Sequence, residues 1–153
     1  MIWSRYALVC RTPVDAADRG KTGRMGELLE CVPNFSEGLN PSVIQAIVEA
    51  MTKVKDVVLL DVDPGKATNR TVVTLVGPPA AVCEAAFQGA KKSAELIDMR
   101  LHKGEHPRFG ALDVCPLVPV RGISMERVVE LARDLGKRMG EELNLSIYCY
   151  EQA

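Results

Sequence analysis

Residues 41–77 read PSVIQAIVEAMTKVKDVVLLDVDPGKATNRTVVTLVG, and the changes of period within them set the fold class. Val43, Ile44, Ile47, Val48 and Met51 recur at helical spacing, so they share one face. Asn40 stands ready as a cap and Pro41 sits in the first turn, which fixes where that helix starts. The run VVLLDVD then loses the helical period and reads as a continuous, buried strand. PGKATNR is turn chemistry, and TVVTLVG is a β-branched strand.

The pattern extends in both directions. ELLECVPN, before the helix, is a short apolar strand stopped by Pro33 and Asn34, and FSEGLN is a turn. After residue 77, PPAAVCEAAFQGAKKSAELID is an Ala-rich helix with Val82, Ala86, Ala90 and Ala94 on one face. ALDVCPLVPV is strand-like, but Pro116 and Pro119 restrict it to an edge or an irregular strand. SMERVVELARDLGKRMGEEL opens on Ser124, a good cap, and presents Val128, Leu131, Leu135 and Met139; LSIYCYE is a final strand. The order β-α-β-β-α-loop-β-α-β begins with the six elements of a ferredoxin-like split β-α-β unit. The expected fold is therefore α+β: a sandwich with a mixed or antiparallel sheet and helices on one face. The other sheet face, with strands this apolar, then calls for a cover, in another copy (a homo-oligomer) or in a second domain.

Composition narrows the class. A chain of 153 residues suits one domain, and with 5% aromatic residues its core must be aliphatic. The net charge is −1, and residues 1–24 hold five of the nineteen basic residues, leaving a mildly acidic body. That argues against a nucleic-acid partner. No apolar run approaches the ~18 residues of a membrane span. The five cysteines contain no C-x-x-C pair, which reads as reduced thiols packed as small hydrophobes in a cytoplasmic protein. Residues 1–26 show no periodicity and are expected to be a disordered leader ahead of a domain at 27–153. A mitochondrial presequence is the alternative, since three arginines precede residue 20 and the first acid is Asp15.

Chemistry concentrates in RLHKGEHPRFGALD, residues 100–113, which holds both histidines. His102 to His106 spells H-x-x-E-H, a zinc-peptidase pattern. That pattern needs a helix to bring the two rings to one face. Gly104 between them and Pro107 after them oppose one, so no metal is expected. A Cys–His pair with Cys115 is conceivable, but VCPLV reads as packed strand, where a thiol is usually inert. A loop punctuated by Gly104, Pro107 and Gly110 can instead hold an imidazole for proton transfer, with Glu105, Arg108 and Asp113 near it. A merely solvated polar loop remains the plain alternative. VPNFSEG and DPGKATNRT are further polar loops, the second offering Arg70 for carboxylate binding.

ECVPNFSEG, LLDVD, TNRTV, LIDM, HKGEHPRFGALDVCPLVPVRGISM and EELNLSIYCY occur in order between Leu28 and Tyr150. In these blocks the chain resembles the amino-terminal part of the formiminotransferase domain of the formiminotransferase-cyclodeaminase family. The resemblance implies transfer of a formimino group from N-formimino-L-glutamate to tetrahydrofolate in histidine breakdown, with tetrahydrofolate as co-substrate and no metal. It implies a domain of two similar α/β subdomains whose sheets face each other with the ligands between them. The family's catalytic histidine lies in H-P-R, which is His106 here. Arg108, Arg70, Asn34 and Asn69 are the candidates for binding or orienting substrate and folate. The second subdomain and the cyclodeaminase domain have no counterpart in these 153 residues. The implied activity therefore needs a second subdomain. The alternative is a non-catalytic folate-binding or protein-interaction module.

Overall fold

The computed structural model describes residues 26–153, together with the backbone of residues 5–10. The helix read in residues 41–77 runs as α1, Pro41–Thr52, and the Asn40 side chain caps it by accepting from the Ser42 N–H. Ile47 and Met51 are fully buried beneath it, with Val43 and Val48 packed at the margin. The two strands that follow pair antiparallel, Val58–Gly65 with Arg70–Gly77, around the turn Lys66–Asn69.

Numbered along the chain, the strands are β1 (Arg5–Cys10), β2 (Leu28–Cys31), β3 (Asn34–Phe35), β4 (Val58–Gly65), β5 (Arg70–Gly77), β6 (Leu112–Val114), β7 (Leu117–Arg121) and β8 (Ser146–Glu151). The other helices are α2 (Pro79–Leu96) and α3 (Met125–Leu143). Pro33 and Pro116 each interrupt what the sequence presents as one strand, giving the pairs β2/β3 and β6/β7. Across the sheet the order is β4, β5, β2/β3, β6/β7, β1, β8. The first four positions pair antiparallel throughout, whereas β1 lies parallel to β6, β7 and β8. The result is an α+β domain of three helices on a curled, largely antiparallel sheet. None of the described helices is long and apolar enough to cross a membrane.

The core lies between this sheet and the helices. Strand β5 alternates cleanly: Thr71, Val73, Leu75 and Gly77 are buried, and Arg70, Val72, Thr74 and Val76 face the other way. Leu29, Cys31, Phe35, Leu112 and Leu117 join the buried side. Helix α2 packs tightly on α1 at Gly89, where a Cβ would come within 2.8 Å of the Met51 sulfur and 3.1 Å of Phe35. Helix α3 is capped by the Ser124 hydroxyl, which accepts from the Arg127 N–H, and it buries Val128, Ala132, Leu135 and Met139.

Two expectations are corrected. VVLLDVD is not a buried strand: among the described residues β4 ends the strand order and has a single neighbour, and it leaves Val58, Leu59 and Leu60 exposed. Ala94 is not on the packed face of α2; Ser93 is, with its hydroxyl satisfied by the Ala90 carbonyl at 2.9 Å. Within the expected leader, Arg5–Cys10 runs as a strand in register with β8 over six residues. The rest of that leader, 1–4 and 11–25, lies outside the described residues.

The face turned away from the helices carries Glu30, Asn34, Val72, Thr74 and Val76. Val120, Tyr148 and Tyr150 are among the exposed large hydrophobic residues of the adjoining strands.

Candidate functional site

The stretch from Asp98 to Ala111 runs as turns and loop, so His102 and His106 do not share a helix face. The loop is instead sewn to the β4–β5 turn. Asn69 sits at the centre with φ of 47°, a left-handed conformation that asparagine tolerates better than most residues. Its Oδ1 accepts from the Gly38 N–H at 2.8 Å, and its Nδ2 donates to the Lys103 carbonyl at 2.9 Å and to His102 Nδ1 at 3.2 Å. Three segments distant in sequence are thereby joined through one buried amide. Arg108 adds to the seam by donating to the Thr68 and Asn69 carbonyls at 3.1 and 3.4 Å. Gly104 lies so close that a Cβ there would overlap the Thr68 carbonyl and the Arg108 guanidinium.

These bonds separate the two histidines chemically. Asn69 must present its NH2 to His102, because its oxygen is committed to Gly38. His102 Nδ1 is thus an acceptor, and its proton resides on Nε2, 3.6 Å from the Glu37 carboxylate. Glu37 is held in turn by the Leu39 and Asn40 N–H groups at 2.8 and 2.9 Å. His102 is therefore held through Nδ1 with its Nε2 beside Glu37, and its side chain is only 15% exposed, which makes it a structural residue.

His106 is exposed. Its Nδ1 lies within hydrogen-bond reach of the Pro107 carbonyl, which can only accept, so the proton is on Nδ1 and the lone pair is on Nε2. Arg70 Nη1 stands 2.7 Å from that Nε2 and 3.0 Å from Nδ1. The two ring lone-pair directions diverge, so one in-plane donor cannot serve both. The contact is taken as a hydrogen bond to Nε2, the shorter of the two. The other end of Arg70 forms an ion pair with Asp113, Nη2 to Oδ2 at 2.9 Å, where the Asp113 side chain is 3% exposed. Asp113 Oδ1 accepts from the Phe109 N–H at 2.7 Å. A buried carboxylate thus fixes a guanidinium, and the guanidinium positions an imidazole.

Of the residues singled out by sequence, Arg70 and His106 come together, with Asp113 behind them. Asn69 and Arg108 lie beside them as staples whose polar atoms are engaged by backbone. Asn34 lies on the open sheet face, its Nδ2 donating to the Val32 carbonyl at 2.8 Å. Cys115 is fully buried with its sulfur 3.6 Å from that of Cys31. Burial, and then the Cys115 neighbour, push the Cys31 thiol well above its ordinary range. Sequence reasoning missed Glu37, which in FSEG reads only as a turn residue. It also missed Tyr150, whose phenol is pushed upward by burial and then by the Asp113 carboxylate. Nothing in the local sequence of either residue signals its neighbours.

Comparison with known proteins gives a consistent result. The sequence profile of the formiminotransferase domain, N-terminal subdomain, matches residues 28–153. The formimidoyltransferase-cyclodeaminase of Rattus norvegicus is 57% identical over 129 residues, covering 84% of this chain and 24% of the rat protein. The glutamate formimidoyltransferase of Thermoplasma acidophilum is 51% identical over 126 residues, covering 82% of this chain and 42% of its own. That of Streptococcus pyogenes serotype M1 is 44% identical over 129 residues, covering 84% and 43%. The chain thus spans about a quarter of the first relative's length and under half of the other two.

Proposed function

The chain belongs to the formiminotransferase family, as an N-terminal subdomain, and on that premise we propose that it carries the proton-transfer site for moving a formimino group from N-formimino-L-glutamate to tetrahydrofolate. The observation that carries the proposal is the setting of His106, an exposed imidazole whose Nδ1 meets the Pro107 carbonyl and whose Nε2 lies 2.7 Å from Arg70 Nη1. Once the Arg70 N–H turns from Nε2 to the substrate, such a ring can take the proton from the attacking folate nitrogen and return it to the departing glutamate nitrogen. Arg70, fixed by Asp113, holds the ring in that pose and supplies positive charge beside the reacting groups. His102 fits no such role, since its side chain is only 15% exposed and is held between the Asn69 amide and Glu37.

Formiminoglutamate and tetrahydrofolate are the substrates this reading assigns. We further read the sheet as a ferredoxin-like split β-α-β unit. The order β4, β5, β2/β3, β6/β7 and the helices α1 and α2 between successive strands support this. Its open face is the natural seat for a second subdomain of the same family, or for a second copy of this chain. The exposed Val58, Leu60, Val120 and Tyr148 are the surface such a cover would remove from water. One other reading is a folate-binding or interaction module without turnover.

The test is formimino transfer by this chain alone and after mixing with a separately expressed second subdomain. Transfer that depends on the second half and is lost in His106→Ala supports the enzyme. Wild type and His106→Ala that behave alike in both formats leave the binding module.

A further inference from the structure

A β-bulge changes which side chains β4 presents to the site. Leu59 pairs with Leu75 on the helix side of the sheet, yet Asp61, two residues on, pairs with Thr74 on the open side. The extra residue shifts the alternation by one, so Asp61 and Asp63 face the open side while Val62 packs on the core. Without the bulge both carboxylates would face the helices. Asp63 pairs with Val72, and Val72 pairs with Asn34. Asp63, Val72 and Asn34 therefore form one row across the open face, and Arg70 stands two residues from Val72 on the same side of β5. Strand spacing puts Asp63 about 10 Å from Asn34, a gap of small-molecule size.

The acidic groups near His106 differ in their availability. Asp113 is engaged by Arg70 and the Phe109 N–H, and Glu37 by two backbone N–H groups and His102. Asp63 is exposed, and its carboxylate makes no hydrogen bond or ion pair with any described residue; Glu105, beside His106, is exposed as well but lies in the loop and not in the row across the sheet face. Asp61 shares its face but lies one row farther from Arg70.

We propose that Asp63 is a substrate-anchoring residue that binds the cationic amidine of the formimino donor over the row Asp63–Val72–Asn34. This rests on the formiminotransferase reading above. An N-formimino group on an amine is an amidine, protonated near neutral pH, planar, and bearing N–H donors that match a carboxylate in the way a guanidinium does. In the reaction the lone pair of folate N5 forms a bond to the amidine carbon. The bond from that carbon to the glutamate nitrogen breaks with its electron pair on that nitrogen. The proton lost by N5 reaches the same nitrogen through His106. Nothing is oxidised or reduced. Asp63 touches the cation throughout, and so sets which donor is accepted: an amidine rather than the neutral formamide of the same shape.

The test compares binding of N-formimino-L-glutamate and N-formyl-L-glutamate to the full chain by calorimetry or by chemical-shift titration, in wild type, Asp63→Asn and Asp61→Asn. Wild type and Asp61→Asn should prefer the formimino compound by about tenfold or more, and Asp63→Asn should lose that preference. All three should melt alike, since both positions are exposed. A preference kept intact in Asp63→Asn, or lost equally in Asp61→Asn, overturns the assignment while leaving the family reading in place. Wild type that binds neither compound, alone or mixed with the separately expressed second subdomain, overturns the anchor and the transfer reading with it, and leaves the family membership in place.

Discussion

Arg70 grips Asp113 with one end of its guanidinium, at 2.9 Å, and His106 with the other, at 2.7 Å. Its Nε is buried without a partner among the described residues, and within that set those two ends fix it. Asp113→Asn would leave the guanidinium largely buried and unpaired, a change that costs ~3 kcal/mol or more. Urea denaturation should show that loss as a lower midpoint at unchanged slope. A stability within 0.5 kcal/mol of wild type, roughly that of an ordinary surface substitution, would contradict the ion pair.

The two histidines should dissociate cleanly. In the chain completed by its second half, His106→Ala is expected to lose ~10²- to 10⁴-fold in transfer rate with little change in stability. His102→Ala should do the reverse, losing about 1 kcal/mol of stability as Asn69 and Glu37 each lose a neighbour. Equal losses of rate in both variants would show that the loop, rather than one ring, matters.

Asn69 can be tested through the amide it binds. Gly38 N–H has the Asn69 carbonyl oxygen as its acceptor. Asn69→Gly keeps the left-handed backbone accessible but removes that oxygen, so exchange of the Gly38 amide with deuterium should quicken. An unaltered rate in Asn69→Gly would remove Asn69 from its place as the staple.

Thiol accessibility should follow burial. Cys31 and Cys115 are fully buried, and burial, followed by the charge of Cys115, pushes the Cys83 thiol up to about 12. Cys149 is exposed. Iodoacetamide at neutral pH should therefore label Cys149 well ahead of Cys31, Cys83 and Cys115, as read by mass spectrometry, until the chain is unfolded.

On the helix surface, Arg138 bridges Glu84 at 2.5 Å and lies 3.7 Å from the Phe87 ring centre. Its hydrogen bond, then that of Gln88, hold the Glu84 carboxyl below the usual range. A carboxyl lowered on folding stabilises above its unfolded value, and that contribution fades as pH falls through the folded value. Glu84→Gln should therefore flatten part of the acid limb of the stability curve. The pair is half exposed, so the effect is of surface size, ~1 kcal/mol or less.

The helices were legible because a period of 3.6 residues is a local property. Ile47 and Met51, or Val128, Leu135 and Met139, betray a buried face without knowledge of what covers it. Strand β4 was not legible in this way. VVLLDVD has the composition of a central strand, and only the sheet order, which depends on distant pairings, makes it an edge. The bulge that turns Asp61 and Asp63 to the open side is likewise visible only against β5. At the site, His106 stood out because Gly104 and Pro107 constrain it. Its coupling to Asp113 runs through Arg70, 43 positions earlier than Asp113, and no local pattern reports that.

The seam between the β4–β5 turn and the histidine loop also fixes lengths. Glu105 N–H reaches the Ala67 carbonyl, Arg108 reaches those of Thr68 and Asn69, and Gly104 leaves no room against Thr68. Insertion of one residue between Lys66 and Asn69 would break this alignment or swing Arg70 to the helix side of the sheet. The turn therefore admits exchanges of side chain more readily than changes of length, and insertions and deletions should be excluded there while the loops at the far end of the sheet absorb them.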